Sequence, residues 1–320
     1  MISNIVLNPS IDKTCIVEDL EIDQSNLIID QRMSIGGEGV DVSRIIKILQ
    51  AEPLVLSFLG GLNGRYIKSS LDKAKIKSNF IWVNGDTKLN TLLIDSITGT
   101  KTLLKDEGVS IQEKDYIRFR QEMKNYVKDS SVVLIDGRLP KGLTYEFFDE
   151  VIDHAKRYNT KIIMSTDGEE LRKAFAFQPY AIKIKKQNLR DLNLHTNDMK
   201  EILMGLYDIM IKHSIHYIAV DMGMEGAYLI SKNKICQGLP HIKIEPVNLK
   251  SNYSAFLAAL AVGIERKYEL EKIIKLMVAS SYATMINTEK DELCNKRDID
   301  HLLKKIKVIE LMNNRNGWLR

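Results

Sequence analysis

Residues 131–164 read SVVLIDGRLPKGLTYEFFDEVIDHAKRYNTKIIM. A short apolar run ends in an Asp-Gly turn, apolar residues at helical spacing follow over 145–158, and a second apolar run covers 161–164. This order predicts a strand, a helix and a second strand. Strands that alternate with helices run parallel in one sheet, so this stretch predicts an α/β fold.

The same alternation extends in both directions from this stretch. Strands are predicted at 2–7, 54–59, 181–184, 217–221 and 227–231. Helices are predicted at 40–49, 65–74, 116–128, 169–175, 198–213, 254–266, 270–286 and 298–307. The pattern indicates a mostly parallel, doubly wound sheet with helices on both faces. Ligands of such sheets lie beyond the carboxyl ends of the strands.

Two strand-rich segments, 13–33 and 78–104, interrupt this alternation. Their apolar and polar residues alternate, as in half-exposed strands, and we expect them to pair as one small antiparallel sheet that covers a cleft. The predicted organisation is a core of residues 1–12, 34–77 and 105–311 with this small sheet as a lid. The polar tail, 312–320, is expected to fray. A small exposed sheet buries its apolar face best by pairing, so a homodimer through the lid is possible.

Composition narrows the classes of function. The 320 residues carry a net charge of +4, with 46 basic and 42 acidic side chains interleaved, which argues against nucleic-acid binding. Three distant cysteines, Cys15, Cys236 and Cys294, predict neither a zinc site nor a disulfide framework. We find no apolar run of about 18 residues and no leader pattern, so a cytoplasmic protein is expected, without a membrane segment.

Residues 247–261, VNLKSNYSAFLAALA, form a predicted loop that turns into a helix. A helix N-terminus in this part of an α/β chain often meets a phosphate. Such a loop usually carries glycines, because backbone N–H groups must approach the anion without a Cβ in the way. Here the loop carries Lys250, Ser251, Asn252 and Tyr253 instead.

Several landmarks fall together at a characteristic spacing. They are Asn8-Pro9-Ser10-Ile11-Asp12, Gly36-Gly37-Glu38-Gly39-Val40-Asp41, Gly60-Gly61, Asp136-Gly137-Arg138-Leu139-Pro140 and Asp221-Met222-Gly223-Met224-Glu225-Gly226. With these landmarks the chain resembles the PfkB (ribokinase-like) sugar kinases, and within them the tagatose-6-phosphate kinase and 1-phosphofructokinase branch. The resemblance implies a Rossmann-like core with a β-sheet lid, ATP·Mg²⁺ as the phosphoryl donor and a hexose phosphate as the acceptor.

The resemblance also assigns candidate site residues. The acceptor would be bound by Asp12, Gly37, Glu38, Gly39, Asp41, Lys88, Asn90 and Arg138. The nucleotide would be bound by Lys183, Lys185, Asp221, Gly223, Gly226, Lys250, Ser251 and Asn252. For Asp12 a second interpretation is that it only caps the turn after the first strand. Glycines at 223 and 226 are also what any turn between two strands needs.

The catalytic position departs from the family pattern. The family loop reads roughly Gly-x-Gly-Asp, and its closest alignment puts Tyr253 where the aspartate acts as catalytic base. A phenol has a pKa of about 10 and stays protonated at neutral pH, so it accepts a proton poorly. Loss of a general base costs about 10²–10⁴-fold in rate. No aspartate lies between Asp221 and Asp291 to replace it. The second interpretation of Tyr253 is an aromatic side chain that packs in the core or against the lid and has no role in the chemistry.

The nucleotide and acceptor segments depart as well. A family segment close to Lys-Pro-Asn-x-x-Glu aligns so that Lys185 takes the asparagine place, and a lysine repels the metal that such a segment helps to place. We therefore predict no metal ligand, and either phosphate binding by Lys185 and Lys186 or two solvated lysines. Glu38, Asp41 and Asp136 add negative charge near the acceptor. Arg138 and Lys88 would counter it, either within a salt-bridge set with Glu38 and Asp136 or around a new ligand.

Two hypotheses follow for the function. The first is a hexose-phosphate kinase whose replaced base, anion hole and magnesium-site residues leave weak or no activity. The second is a catalytically inactive kinase-like protein that binds a nucleotide, a sugar or a protein partner in a regulatory role.

Overall fold

The computed structural model describes residues 1–36, 38–136, 138–192, 194, 196–247, 251–287, 293–313 and 317–318. For Glu38, Asp136, Gly317 and Trp318 it describes the backbone alone. The strands are β1 (Ile2–Val6), β2 (Ser10–Val17), β3 (Ile28–Gly36), β4 (Pro53–Leu59), β5 (Lys77–Trp82), β6 (Leu89–Asp95), β7 (Lys101–Leu104), β8 (Val132–Asp136), β9 (Lys161–Ser165), β10 (Ala181–Lys185), β11 (Tyr217–Asp221), β12 (Ala227–Ser231), β13 (Lys234–Pro240), β14 (Ile306–Asn313) and β15 (Gly317–Trp318).

The helices lie between these strands. They are α1 (Glu38–Ile48), α2 (Gly61–Lys73), α3 (Glu113–Asp129), α4 (Glu146–Tyr158), α5 (Gly168–Ala174), α6 (Met199–Lys212), α7 (Asn252–Glu265), α8 (Leu270–Ile286) and α9 (Lys296–Leu303). Two 3₁₀ turns occupy Lys186–Leu192 and Gly223–Glu225. None of these described helices combines the length and apolar character that crossing a bilayer requires.

The large sheet has the strand order β15-β14-β13-β12-β11-β10-β9-β8-β1-β4-β5. In this order, the seven strands from β11 to β5 all pair in parallel with their neighbours within that run. From β12 onward the pairing is antiparallel. Helices α1, α7, α8 and α9 cover one face, and α3, α4, α5 and α6 cover the other. The predicted doubly wound α/β fold is confirmed.

Helix α7 lies at the centre of one face. Its sequence, NYSAFLAALAVGIE, has no polar side, and the residues from Ser254 to Ile264 are buried. A helix that is apolar all round belongs in a core. Its small residues let α8 approach closely: a Cβ at Gly263 would lie 2.9 Å from Cγ1 of Ile273. This packing fixes the N-terminal turn of α7, where Tyr253 lies, against the sheet.

The lid is a second sheet with the order β3-β2-β6-β7. The structure therefore joins the two interrupting segments, as predicted, but the sheet is mixed because β2 and β6 run parallel. Both strands leave the core in the same direction. In the chain, β2 directly follows β1, and β6 follows β4, α2 and β5. A further correction concerns β5, which was assigned to the lid segment 78–104. It pairs with β4 in the large sheet, and Phe80 and Ile81 are buried there.

The C-terminal end also differs from the prediction. The last described helix ends at Leu303, whereas the pattern predicted helix to 307, and β14 follows at once. The tail that was expected to fray instead contributes Met312, which pairs with Ile235 of β13 and with Trp318 of β15. The sequence pattern did not predict strand β13. Strand β14 pairs with β13 and covers the backbone edge that β13 would otherwise expose.

Candidate functional site

Strands β1, β8, β9 and β10 end at one edge of the large sheet, and the lid leans over that edge. Between them lies a cavity of about 880 Å³. Its lining includes the predicted residues Asp12, Gly39, Lys88, Asn90, Arg138 and Lys185. The structure therefore brings together residues that are up to 173 positions apart, from Asp12 to Lys185.

Asp12 lies on β2, directly beside Asn90 of the parallel strand β6. The Asn90 side-chain amide donates a hydrogen bond of 3.0 Å to Oδ1 of Asp12, and the Ser10 hydroxyl donates one of 3.4 Å to the same oxygen. Gly36 opposite leaves room for this carboxylate, because a Cβ there would lie 2.3 Å from Oδ1 of Asp12. These side-chain bonds hold the Asp12 carboxylate at the cavity wall.

A loop after β7 closes one side of the cavity through Asp106. Its carboxylate accepts hydrogen bonds from the backbone N–H of Gly108 (2.9 Å) and Leu89 (3.1 Å), which together lower the pKa of Asp106. Lys88 is half-buried between this carboxylate and Asp12. Burial lowers the pKa of Lys88, and the two carboxylates oppose that effect. Asp12 and Asp106 therefore offset part of the cost of burying an ammonium at Lys88.

Arg138 makes its described ion pair with Asp167, with 2.5 Å between Nε and Oδ1. This hydrogen bond raises the pKa of the guanidinium. Asp167 lies just before α5 and was not predicted. Arg138 thus has one partner from another loop, and its predicted salt bridges with Glu38 and Asp136 remain a prediction. The side chains of Glu38 and Asp136 lie outside the described part of the structure.

The charge of the cavity wall favours an anion. Among its described residues, the cationic side chains are Lys13, Lys88, Lys105, Arg138, Lys141 and Lys185, and the carboxylates are Asp12, Asp106, Glu107 and Asp167. An excess of cations in a confined cleft attracts negatively charged ligands. Sequence reasoning missed Lys13, Lys105 and Lys141 as site residues. Lys13 and Lys105 reach this wall with the lid strands β2 and β7, and Lys141 reaches it with the loop after β8.

Asp41 lies behind the cavity, on α1, and faces α7. Its Oδ2 accepts a hydrogen bond of 3.1 Å from the Ser251 hydroxyl, and its Oδ1 lies 3.4 Å from Nη1 of Arg44. Burial raises the pKa of Asp41 more than Arg44 and Ser251 lower it. Asp41 and Ser251 were predicted for different subsites, and this contact brings the two residues together at the start of α7.

Tyr253 is the second residue of α7, and its ring lies between two lysines. The ammonium of Lys183 is 5.1 Å from the ring centroid and that of Lys185 is 4.7 Å away. Lys183 and Lys185 are two residues apart on β10, so both lie on the face of the sheet that α7 covers. Lys183 is 1 % exposed. Lys185 contacts the ring and is only partly exposed, which argues against the alternative of a fully solvated lysine. Lys186 is exposed and pairs with Glu225.

Comparison with known proteins now places the chain. The family model for pfkB family carbohydrate kinases matches residues 6–292. The chain belongs to the PfkB family. It is 28 % identical over 311 residues to a 1-phosphofructokinase of Borreliella burgdorferi, covering 97 % of this chain and 99 % of the relative. It is 26 % identical over 316 residues to a tagatose-6-phosphate kinase of Staphylococcus epidermidis, covering 97 % and 100 %.

The fold has close relatives among solved structures. Phosphofructokinase-2 of Escherichia coli, solved in complex with substrates and products, superposes with a TM-score of 0.83 at 19 % identity, over 95 % of this chain and 98 % of that one. The same enzyme has also been solved in a tetrameric inhibited form. At this identity the likeness shows the PfkB fold of the chain, a Rossmann-like core with a lid.

The turn after β11 is explained by backbone geometry in this PfkB protein. Gly223 has a φ of +62° and Gly226 one of +94°, and a Cβ at Gly226 would lie 2.0 Å from the carbonyl oxygen of Gly238. Buried Asp221 accepts a hydrogen bond of 2.9 Å from the Gly223 N–H. These residues stabilise the turn, and their predicted contact with a nucleotide remains a prediction. Asn252, also predicted there, is buried at the start of α7.

Magnesium fits poorly beside Lys185 at the end of β10. The described residues contain no group of three or more His, Cys, Asp or Glu side chains arranged to hold a metal. The end of β10 presents the ammonium of Lys185 instead. Mg²⁺ prefers carboxylate and water oxygens, and a nearby ammonium repels it. Two predicted residues of this region, Gly37 and Lys250, lie outside the described part of the chain.

Proposed function

We propose that this PfkB protein binds a hexose phosphate in the cavity under its lid and transfers phosphoryl groups weakly or not at all. The observation that carries the proposal is Tyr253 at the first turn of α7, with Lys183 and Lys185 against its ring. The family resemblance places a carboxylate base at this position. A phenol with an ordinary pKa of about 10 does not serve as a base at neutral pH.

Binding of a sugar phosphate is supported by the cavity wall. Asp12 and Asn90 form a hydrogen-bonded pair that suits sugar hydroxyls, since a carboxylate accepts and an amide both donates and accepts. Lys88 and the neighbouring cations of the wall suit a phosphate, because charge-assisted hydrogen bonds are about twice as strong as neutral ones. The relatives' names, 1-phosphofructokinase and tagatose-6-phosphate kinase, support the same class of ligand.

Weak phosphoryl transfer is supported by several changes in one mechanism. Phosphoryl transfer depends on positioning and on stabilising the charge of the transferring group, with metal ions that bridge the phosphates. Here the base position holds a phenol, the loop before α7 has lost its glycines, and Lys185 stands where a metal–nucleotide complex would need oxygen ligands. Binding without turnover suits a regulatory protein that senses its ligand. ATP remains a proposed ligand of Lys185, held by charge alone, whereas Lys183 is buried beneath the Tyr253 ring.

Slow phosphoryl transfer is the second candidate, and Asp41 favours it. The hydrogen bond from Ser251, two residues before Tyr253, keeps the Asp41 carboxylate at the start of α7. Burial raises the pKa of Asp41, which brings it closer to the range of a useful general base. Under this candidate, Asp41→Asn removes any residual ADP release. Residual ADP release that survives Asp41→Asn contradicts it.

Calorimetric titration tests the binding half of the proposal. We expect fructose 1-phosphate, fructose 6-phosphate or tagatose 6-phosphate to bind, and the corresponding free sugars to bind much more weakly. Lys88→Ala is expected to weaken the sugar phosphate about tenfold, the scale of one charge-assisted contact. Lys77→Ala, an exposed lysine of β5 away from the cavity, serves as the matched control. Equal binding by Lys88→Ala and the wild type would contradict the assignment of the cavity.

Nucleotide titration with and without Mg²⁺ tests the role of Lys185. We expect ATP to bind with similar affinity in both conditions, because the site supplies ammonium groups rather than metal ligands. Lys185→Met is expected to weaken ATP, and Lys186→Met, which removes a lysine paired with Glu225, is expected to change little. ATP binding that requires Mg²⁺ would overturn this part of the proposal.

A further inference from the structure

A second cavity, of about 730 Å³, lies at the opposite edge of the large sheet. It is lined by residues that precede or begin the parallel strands, such as Lys161, Tyr180 and Tyr217, and by the segment that joins α7 to α8. Tyr180 and Lys185, which lines the first cavity, are at opposite ends of β10, about 16 Å apart along the strand. The two cavities are therefore separate sites.

Aromatic rings form one wall of this second cavity. Tyr180 and His216 stack with ring centroids 4.3 Å apart and an interplanar angle of 17°, and Tyr217 meets Tyr180 edge-on at 5.8 Å. The arrangement is fixed by the backbone, because the N–H groups of His216 and Tyr217 both donate to the Tyr180 carbonyl oxygen, at 3.0 and 3.2 Å. His216 is exposed at the cavity mouth. Because the backbone fixes these two rings, they form a flat platform on which another aromatic ring can stack.

Cations lie beside the platform. The ammonium of Lys161 is 4.8 Å from the Tyr180 ring centroid. Burial lowers the pKa of Lys161, and the nearby charge of Lys267 lowers it further. Within the described residues neither lysine makes an ion pair, and Glu269 is the one carboxylate in the described lining. The two like charges influence each other, and an anion bound near both would relieve their repulsion.

We propose that this second cavity binds a nucleotide, with the base stacked on the Tyr180–His216 pair and the phosphate between Lys161 and Lys267. A nucleotide combines a flat aromatic ring with a nearby anion, and the volume lies within the usual range for small-molecule sites of about 300–1,000 Å³. A sugar phosphate lacks the ring, and an uncharged aromatic lacks the anion. The proposal does not depend on whether the first cavity supports phosphoryl transfer.

Photolabelling with 8-azido-ATP tests this site directly. After irradiation and proteolysis, mass spectrometry is expected to find the label on peptides that contain Tyr180, His216 or Tyr217. Unlabelled AMP should suppress this label at concentrations where inorganic phosphate and adenosine do not. Label confined to peptides around Lys185 and Gly223, or no label at all, would overturn the proposal. So would equal suppression by AMP and by inorganic phosphate, because the ring would then contribute nothing.

A pair of variants separates specific binding from general attraction. Lys161→Ala with Lys267→Ala is expected to lower the labelling of these peptides at least about tenfold. Lys128→Ala is the matched control, because Lys128 also lies over a tyrosine, 5.9 Å from the Tyr158 ring centroid, but outside both cavities. If the double variant melts early, Lys267→Ala alone, an exposed position, provides the comparison. Unchanged labelling in either lysine variant would contradict the phosphate contact.

Discussion

Gly36 positions a site residue without touching any ligand. It lies opposite Ser10 in the lid sheet, and its missing side chain is the space that the Asp12 carboxylate occupies. A Cβ at Gly36 would approach both Oδ1 of Asp12 (2.3 Å) and the Ser10 hydroxyl (2.4 Å). Side chains this close cannot coexist, so Asp12 or the strand must move.

We therefore expect Gly36→Ala to weaken sugar-phosphate binding by displacing Asp12 from Asn90. The overpacking should also lower the free energy of unfolding by about 1–3 kcal/mol. Calorimetry and chemical denaturation measure the two effects on the same preparation. A Gly36→Ala protein that binds the sugar phosphate as tightly as the wild type would show that the Asp12–Asn90 geometry does not matter for binding.

Asp41 carries a second prediction, on stability. Because burial raises its pKa in the folded protein above the ordinary 3.8, the folded chain holds its proton to higher pH than the unfolded chain does. Stability is therefore lost as the pH rises from about 4 through the folded pKa. Asp41→Asn removes this cost and can still accept the Ser251 hydrogen bond.

The expected gain for Asp41→Asn at pH 7 is about 1 kcal/mol in the free energy of unfolding, the usual scale of a single substitution. The pH dependence between about 4 and 7 should also become flatter. Urea denaturation across this range measures both. Asp72→Asn, an exposed aspartate 2.6 Å from Lys68, is the control and should change little. A less stable Asp41→Asn protein at pH 7 would contradict the prediction.

At the residue scale, the sequence predicted which side chains line the cavity but not how they contact one another. Asp12, Lys88, Asn90 and Arg138 follow from family spacing, and all four line one cavity, although their roles remain predictions. Asp167 could not be found in this way. It follows β9 with no motif of its own, and only the parallel pairing of β8 with β9 brings it to Arg138.

Among the elements, the lid depends on one buried carboxylate, Asp95, at the end of β6. Its oxygens accept hydrogen bonds from the N–H of Leu20, Ile97 and Thr98 and from the Thr98 hydroxyl. Burial alone would raise the pKa of Asp95, but these hydrogen bonds lower it to about 2. The carboxylate thus joins two turns of the lid as long as it is ionised.

Asp95→Ala is expected to loosen the lid and leave the large sheet unchanged. Hydrogen exchange should speed up at the amides of Leu20, Ile97 and Thr98, because these donors lose their acceptor. In the wild type the same loosening should occur in acid: the contribution of Asp95 is complete above 3.8 and is lost as the pH falls through about 2. Uniform exchange changes across both sheets would show that Asp95 does not act locally.

Among the strands and helices, the edge strands are the elements that sequence periodicity predicted least well. Helices and buried parallel strands have strong patterns, and the predicted α/β alternation is confirmed by the structure. Strand β5 reads like a lid strand because it is half-exposed at the edge of the large sheet. Strand β14 follows α9 after two residues, so its first two residues, Ile306 and Lys307, were included in the predicted helix. Edge strands carry mixed patterns, and their partners cannot be known before the sheet is assembled.

Exposed apolar side chains lie on both edge strands of the lid. Ile28, Ile29 and Met33 of β3 and Leu104 of β7 are 42–53 % exposed. Exposed apolar patches of this kind mark interfaces, and we propose that two copies pair through the lid. Analytical ultracentrifugation should find a dimer, and Ile29→Lys should shift it towards monomer. Leu62→Lys, on exposed α2, is the control. A wild-type monomer at micromolar concentration would contradict the dimer.

For the whole molecule we propose a PfkB fold that keeps a cavity for a sugar phosphate and transfers phosphoryl groups inefficiently. Steady-state ADP release by the purified wild type, with ATP, Mg²⁺ and a panel of hexose phosphates, tests it most directly. We predict turnover well below about 1 s⁻¹, the low end of typical kinase rates, for every acceptor. Turnover above about 1 s⁻¹ on any hexose phosphate would show that Tyr253 does not disable the site, and would contradict the claim.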